Sequence, residues 1–294
     1  MMDFISDIQN YVFLQKALFT SIMVGIICGV IGCFIILRGM ALMGDAISHA
    51  VLPGIAVSYM LGINYLYGAV FTGLLTSVGI GFISQNSRVK NDSSIGIVFS
   101  SFFALGIILI AKAKSTIDLT SILFGNVLSV RSSDMWMTLI IGTIVLLVVI
   151  LFYKELLVST FDPTFAASYG LPNRLIHYVL MILLTLVTVA SLQTVGVILV
   201  VAMLITPAST AYLLTNRLSV MIVLSAAFGA FSAIIGLYFS FEHNLSSGAV
   251  IVLVTTVLFL IAFVFAPKQG IYWRSVRIRK NRNGVITRKK ESFE

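Results

Sequence analysis

The sequence predicts an all-α polytopic membrane protein of about nine transmembrane helices. Three observations carry this. The 294 residues are 59% hydrophobic and only 10% charged, whereas soluble domains carry roughly 25% charged residues. The apolar residues form long unbroken runs, as a bilayer core of about 30 Å requires. Nine of the nineteen Lys and Arg residues lie beyond the last run, from Lys268 to Lys290, the usual result of the positive-inside rule. The alternating apolar and polar strands of an outer-membrane barrel are absent. The net charge of +8 is therefore that of a tail, not of a nucleic-acid-binding face.

In chain order, residues 1–12 carry Asp3 and Asp7 rather than a basic leader, so no cleavable signal peptide is expected. This short N-terminal segment precedes a transmembrane domain over 13–266, and a basic tail fills 267–294. The expected spans are 13–37, 41–61, 65–84, 94–111, 134–153, 174–191, 195–214, 218–240 and 247–266. With the tail inside, fifteen Lys and Arg fall on inner loops and four on outer ones. The N-terminus is then outside and the C-terminus in the cytoplasm. Span 41–61 is interrupted at Pro53-Gly54. If it does not cross, the count is eight and the N-terminus moves inside.

In the first span, Cys28 and Cys33 are five residues apart and point in different directions on a helix, so packing is expected rather than a disulfide. Gly25 and Gly29, and in the eighth span Ser225, Gly229 and Ala233, form small-residue faces that let helices approach closely.

The second span holds the chemistry. Asp45 and His49 are four residues apart, about one helical turn, so they share a face. Pro53 follows His49 by four residues and offers no N–H to the His49 carbonyl. In a soluble protein Asp45 would read as a cap and His49 as a packed imidazole. In a membrane an ionisable group costs roughly 2.5–3.5 kcal/mol at a helix centre and marks a pathway. A carboxylate with an imidazole suits Mn(II), Fe(II) and Zn(II). Two ligands hold an ion weakly, which suits transport.

Two connections exceed simple turns. The outer one, 113–133, contains an apolar stretch from Asp118 to Leu128 that is too short to span and fits a short surface helix. The inner one, 154–174, reads as a short helix over about 162–170. Asp162-Pro163 supplies an N-cap and first residue, and Gly170 followed by Pro172 supplies a stop. Phe165, Ala166 and Tyr169 would form its apolar face. A helix of this length needs a partner or the bundle to hold it.

The sixth span begins near His177, beside Arg174 and Tyr178, where a snorkelling polar tip is the simpler reading. In the seventh, Pro207 frees the Met203 carbonyl and implies a kink. Thr206, Ser209 and Thr210 either line a polar path or re-satisfy the broken ladder. Glu242 and His243 form a short outer loop. Reactive motifs are missing: no Gly-Lys dipeptide occurs, hence no phosphate loop for ATP, and neither a zinc-protease helix nor a serine elbow is found. The chain is not expected to be an enzyme.

The run Leu37-Arg38-Gly39-Met40 through Gly44-Asp45-Ala46-Ile47-Ser48-His49-Ala50-Val51-Leu52-Pro53-Gly54 resembles the membrane permeases of bacterial ATP-binding-cassette importers for manganese, zinc and iron(II). So do Ile122 to Asn126, Phe161-Asp162-Pro163, and Val195 to Leu199 with Pro207-Ala208. The resemblance covers about 11–267, and its wording is nearest the manganese branch. It implies a type II importer fold, like that of vitamin B12 permeases, and a homodimer in the bacterial cytoplasmic membrane. It also implies a separate ATP-binding subunit below, where ATP alone is used, and an extracellular lipoprotein that delivers the metal. Asp45 and His49 would line the metal path, with Met203, Thr206 and Pro207 as further candidates. Asp162, Pro163, Phe165, Ala166, Tyr169 and Gly170 would form the coupling helix that meets the ATPase. The rival from another class is a gradient-driven secondary transporter or channel using Asp45 and His49 as a proton relay.

Overall fold

In an apolar surrounding each backbone N–H and C=O must find its partner within its own segment, so long apolar runs become helices. The computed structural model describes residues 10–112, 125 and 127–266, and every regular element among them is helical. Helix α1 (Val12–Leu37) is 26 residues long and the most buried of the long helices. After it come α2 (Met43–Ala50), α3 (Leu52–Leu61), α4 (Tyr65–Asn86) and α5 (Asn91–Lys112). A single 3₁₀ turn, Val127–Ser129, precedes α6 (Ser132–Leu151). Two short helices, α7 (Tyr153–Phe161) and α8 (Pro163–Ser168), lead into α9 (Asn173–Val195). Helices α10 (Val197–Leu214), α11 (Leu218–His243) and α12 (Ser247–Phe265) complete the bundle.

α1 is central, with α10, α11 and α6 packed around it. The small-residue faces expected of the first and eighth spans meet each other. A Cβ built on Gly25 would sit 2.7 Å from the Gly229 backbone, so the two main chains are in contact. One turn along, the Ser225 hydroxyl donates to the Gly29 carbonyl at 2.9 Å. This is how helices bind tightly where no hydrophobic effect drives them together. Cys28 and Cys33 are free thiols in the interior, as expected.

The bundle has two recognisable ends. At one, Arg38 leaves α1 and reaches Ser159 and Thr160 of α7 and His177 of α9. At the other, Tyr59, Asn64 and Tyr65 share a cleft of about 940 Å³ with Arg131, Asp134 and Gln193.

Segment 41–61, expected to be interrupted at Pro53-Gly54, is interrupted two residues earlier. It forms two short helices that meet at Val51, because Pro53 cannot donate to the His49 carbonyl. Val51 keeps near-helical dihedrals (φ −78°, ψ −12°), so the break lies in the hydrogen-bond ladder rather than in the direction of the chain. The segment starts beside Arg38 and ends at Tyr59 and Gly62 in the cleft. The pair α2–α3 therefore runs the height of the bundle, about 28 Å for nineteen residues at helical rise. Among the described residues, eight helices are long and apolar enough to cross a membrane singly, and neither α2 nor α3 is one of them. The outer helix expected over 118–128, the N-terminal segment 1–12 and the tail 267–294 lie outside the described residues, save for residues 10–12, 125, 127 and 128.

Candidate metal site

Asp45 lies in the first turn of α2 and His49 in its last. Their spacing brings His49 Nε2 to 3.6 Å from Asp45 Oδ1, as neighbours on one helical face do. The Asp45 side chain is 46% exposed and that of His49 22%. No third ligand accompanies them: among the described residues no group of three or more His, Cys, Asp or Glu could hold a metal. The two side chains stand as a pair on a partly exposed face.

The imidazole is held from behind by α5. His49 meets Phe103 edge-on, with centroids 5.6 Å apart at 79°, and Phe99 at 5.9 Å and 61°. The two phenyl rings stack on each other at 5.6 Å. Neither Phe99 nor Phe103 was expected at the site. Their four-residue spacing was visible, but nothing in the sequence says which helix faces α2. Ser48 takes no part in the open face, since its hydroxyl donates back to the Gly44 carbonyl at 2.8 Å.

The neighbours of α2 set its depth. Gly44 packs against the Leu204 side chain, and the Leu204 carbonyl meets Gly32, five residues before the end of α1. Val51 packs beside Gly73 with Thr185 and Val189 of α9. His49 is therefore near the mid-height of α9, and Asp45 is one turn nearer the Arg38 end.

Of the other expected pathway residues, Met203 is 1% exposed and Pro207 is buried, so both pack inside the bundle. Thr206 is half-buried, and its carbonyl accepts the Thr210 hydroxyl at 2.7 Å. Pro207 stands inside α10 without ending it. The structure does not bring these three residues into hydrogen-bonded contact with Asp45 or His49.

The short inner helix forms as its punctuation demands. Asp162 accepts the Phe165 N–H at 2.9 Å and the Thr164 hydroxyl at 2.8 Å, and Pro163 opens α8. These donors hold the exposed Asp162 carboxyl below the usual carboxylate range. Gly170 closes it at φ +81°, a left-handed conformation that suits glycine. Asn173 donates back to the Pro163 carbonyl, tying the start of α9 to the start of α8. Phe165 (54% exposed) and Tyr169 (79%) stack on the open side, with centroids 6.0 Å apart. Ala166 corrects the expected apolar face: it is fully buried and seats α8 on the bundle. His177, expected to snorkel, instead turns Nδ1 toward Arg38 at 3.4 Å, while its Nε2 is buried without a partner. His243 is exposed, with Nδ1 at 3.3 Å from the carbonyl of Phe239 on its own helix.

A bundle with eight helices long and apolar enough to cross a membrane among its described residues defines a multi-pass membrane protein. The chain belongs to the ABC 3 transport family, whose pattern matches residues 10–266. It is the membrane permease component of an ABC transporter and not an ATPase itself. It is 67% identical over 274 residues to the manganese transport system membrane protein MntC of Listeria monocytogenes, covering 93% of this chain and 98% of that one. Among solved structures it resembles PsaBC from Streptococcus pneumoniae in complex with Fab, with a TM-score of 0.84 and 51% identity over 95% of this chain and 100% of that one. It shares its fold, at a TM-score of 0.63 and 16% identity over 84% of each chain, with a protein described as a metal-chelate type ABC transporter in an inward-facing conformation.

Proposed function

We propose that this chain is the membrane permease of an ATP-driven manganese(II) importer. Asp45 and His49 form the transient site through which the ion passes. The observation that carries the reading is the half-open pair itself, a carboxylate and an imidazole 3.6 Å apart on an exposed face at mid-bundle. A charge so placed is costly against lipid. A second copy of the chain covering that face would bury both pairs and bring two carboxylates and two imidazoles together. Such a mixed oxygen and nitrogen set accepts first-row divalent ions without the thiolates that select softer metals. Zinc(II) and iron(II) fit the same donors, and the names of the similar proteins favour manganese.

In this reading the protein is a homodimer in the cytoplasmic membrane with its C-terminus inside. The Arg38 end faces the cytoplasm, and α8 is the coupling helix. Phe165 and Tyr169, two stacked rings on a two-turn helix, offer the ATP-binding subunit a compact apolar anchor. Asp162, Pro163 and Gly170 fix the shape of that helix, and Ala166 fixes its seat. ATP binding on the partner closes the ATPase pair and shifts the coupling helices. The permease then opens outward and receives the ion from an extracellular lipoprotein. Asp45 and His49 of both copies hold the ion briefly, and hydrolysis restores the inward state. Thr206 is assigned to the lining of the path, and Met203 and Pro207 to the kink that shapes α10.

The test is uptake of radioactive manganese(II) by vesicles containing the permease, its ATPase and the binding protein. Uptake that needs ATP and outcompetes equimolar zinc(II) and iron(II) is expected. Uptake driven by an ion gradient with no ATPase present would overturn the reading.

A further inference from the structure

Arg38, the C-cap of α1, reaches both α7 and α9. Its Nε donates to Thr160 Oγ1 at 3.2 Å and its Nη2 to Ser159 Oγ at 2.9 Å. Its Nη1 faces His177 Nδ1 at 3.4 Å. Ser159 and Thr160 lie in the last turn of α7, which ends at Phe161 just before the Asp162 cap of α8, and His177 lies in the second turn of α9, the helix that follows α8. One guanidinium therefore holds both the chain that enters α8 and the chain that leaves it. Among the described residues no carboxylate lies within ion-pair distance of Arg38. The half-buried cation is satisfied by neutral groups, so its value lies in the fixed fork geometry of its donors and not in charge neutralisation.

The backbone of Arg38 is tied in the other direction. Its N–H bonds the Phe34 carbonyl at 3.1 Å, and the Met40 N–H bonds Ile35 at 3.0 Å. Gly39 takes the left-handed turn (φ +66°) that makes this closure possible. The Met43 N–H then bonds the Met40 carbonyl at 3.0 Å, opening α2. Asp45 is only two residues further on. This hydrogen-bonded turn leaves little slack between the guanidinium and the helix that carries the metal ligands.

We propose that Arg38 is the positioning residue that couples displacement of α8 to the helix bearing Asp45 and His49. The proposal rests on the permease reading above. Movement of α8 drags the end of α7 and the start of α9. Arg38, gripping both, carries that movement through the Gly39 turn into α2.

The test compares the wild-type permease with R38A, R38K and the S159A/T160A double variant, each reconstituted with the ATPase and binding protein. Manganese(II) uptake and ATP hydrolysis are measured in the same vesicles, and the readout is ions moved per ATP consumed. R38A should lower that ratio about tenfold, the scale of losing charge-assisted hydrogen bonds, while hydrolysis continues. R38K should recover part of it, since one ammonium cannot span α7 and α9 together. S159A/T160A should lower the ratio as well, and adding it to R38A should cost little more. An unchanged ratio in R38A, or a parallel fall of uptake and hydrolysis, would overturn the proposal. Should R38A fail to assemble, an unchanged ratio in S159A/T160A overturns it alone. Wild-type vesicles without ATP-dependent uptake would overturn the permease reading, and this proposal with it.

Discussion

His49 stands edge-on to Phe103, with ring centroids 5.6 Å apart and planes at 79°. The positive edge of one ring meets the face of the other, an arrangement that fixes orientation as well as filling space. Phe99 repeats the contact one turn earlier on α5. The imidazole is thereby aimed along α2 toward Asp45 rather than rotating freely at an open surface.

Removing that support should loosen His49, the proposed metal ligand. F103A is expected to slow the initial rate of manganese(II) uptake about tenfold, the lower range for groups that orient a metal ligand. F103L, which keeps the bulk, should lose less. Initial rates over a range of loaded binding protein check this, and a wild-type rate in F103A would show that the ring is merely packed.

The contact between α1 and α11 should tolerate no side chain. A Cβ on Gly229 would stand 2.3 Å from the Gly25 carbonyl oxygen, so G229V must force the helices apart. Little detergent-stable protein is expected from it, judged by size-exclusion profile and thermal melting. S225A removes the bond to the Gly29 carbonyl and the hydroxyl's contact with the Cys33 thiol. It should cost about 0.6 kcal/mol, the usual worth of such a bond between membrane helices, and leave a folded protein with a slightly lower Tm.

If α8 is the coupling helix proposed above, two kinds of substitution in it should separate two ways of losing the ATPase. F165S/Y169S removes the exposed rings and leaves α8 seated. A166L keeps the rings and displaces the helix, because Ala166 has no room around it. Both should weaken co-purification of the ATP-binding subunit by tenfold or more, the scale of losing an aromatic anchor. D162A should weaken it less and D162N least, since an asparagine still caps. The carboxyl of Asp162 is held below its ordinary range, so its capping contribution is complete above the unfolded carboxylate pKa and is lost as pH falls through the lowered folded value. Between neutral pH and pH 5 co-purification by the wild type and D162N should therefore run parallel, and at lower pH the wild type should lose a contribution that D162N, which has no carboxyl to protonate, keeps.

Much of this was legible in the sequence because each feature is local. The apolar runs, the Asp162-Pro163 cap, the Gly170 stop and the one-turn spacing of Asp45 and His49 all depend on neighbours a few residues away. The small-residue faces of the first and eighth spans were legible too, although not that they pair with each other. What escaped is what joins distant segments. Arg38 and Ser159 are 121 residues apart, and His49 is backed by a helix that begins forty-two residues later. Ala166 was misassigned because two adjacent residues on a helix point about 100° apart, so an apolar run does not say which member faces inward. The broken span shows a different limit. Pro53 foretold the lost hydrogen bond, but only Val51's near-helical dihedrals tell that the chain continues across the bundle.

The most direct test of the account replaces both ligands at once. The D45A/H49A permease, assembled with its ATPase and binding protein in vesicles, is compared with the wild type for ATP-dependent manganese(II) uptake. The double variant should assemble, and its uptake should fall to the level seen without ATP. Uptake at the wild-type rate in that complex would contradict the proposed site.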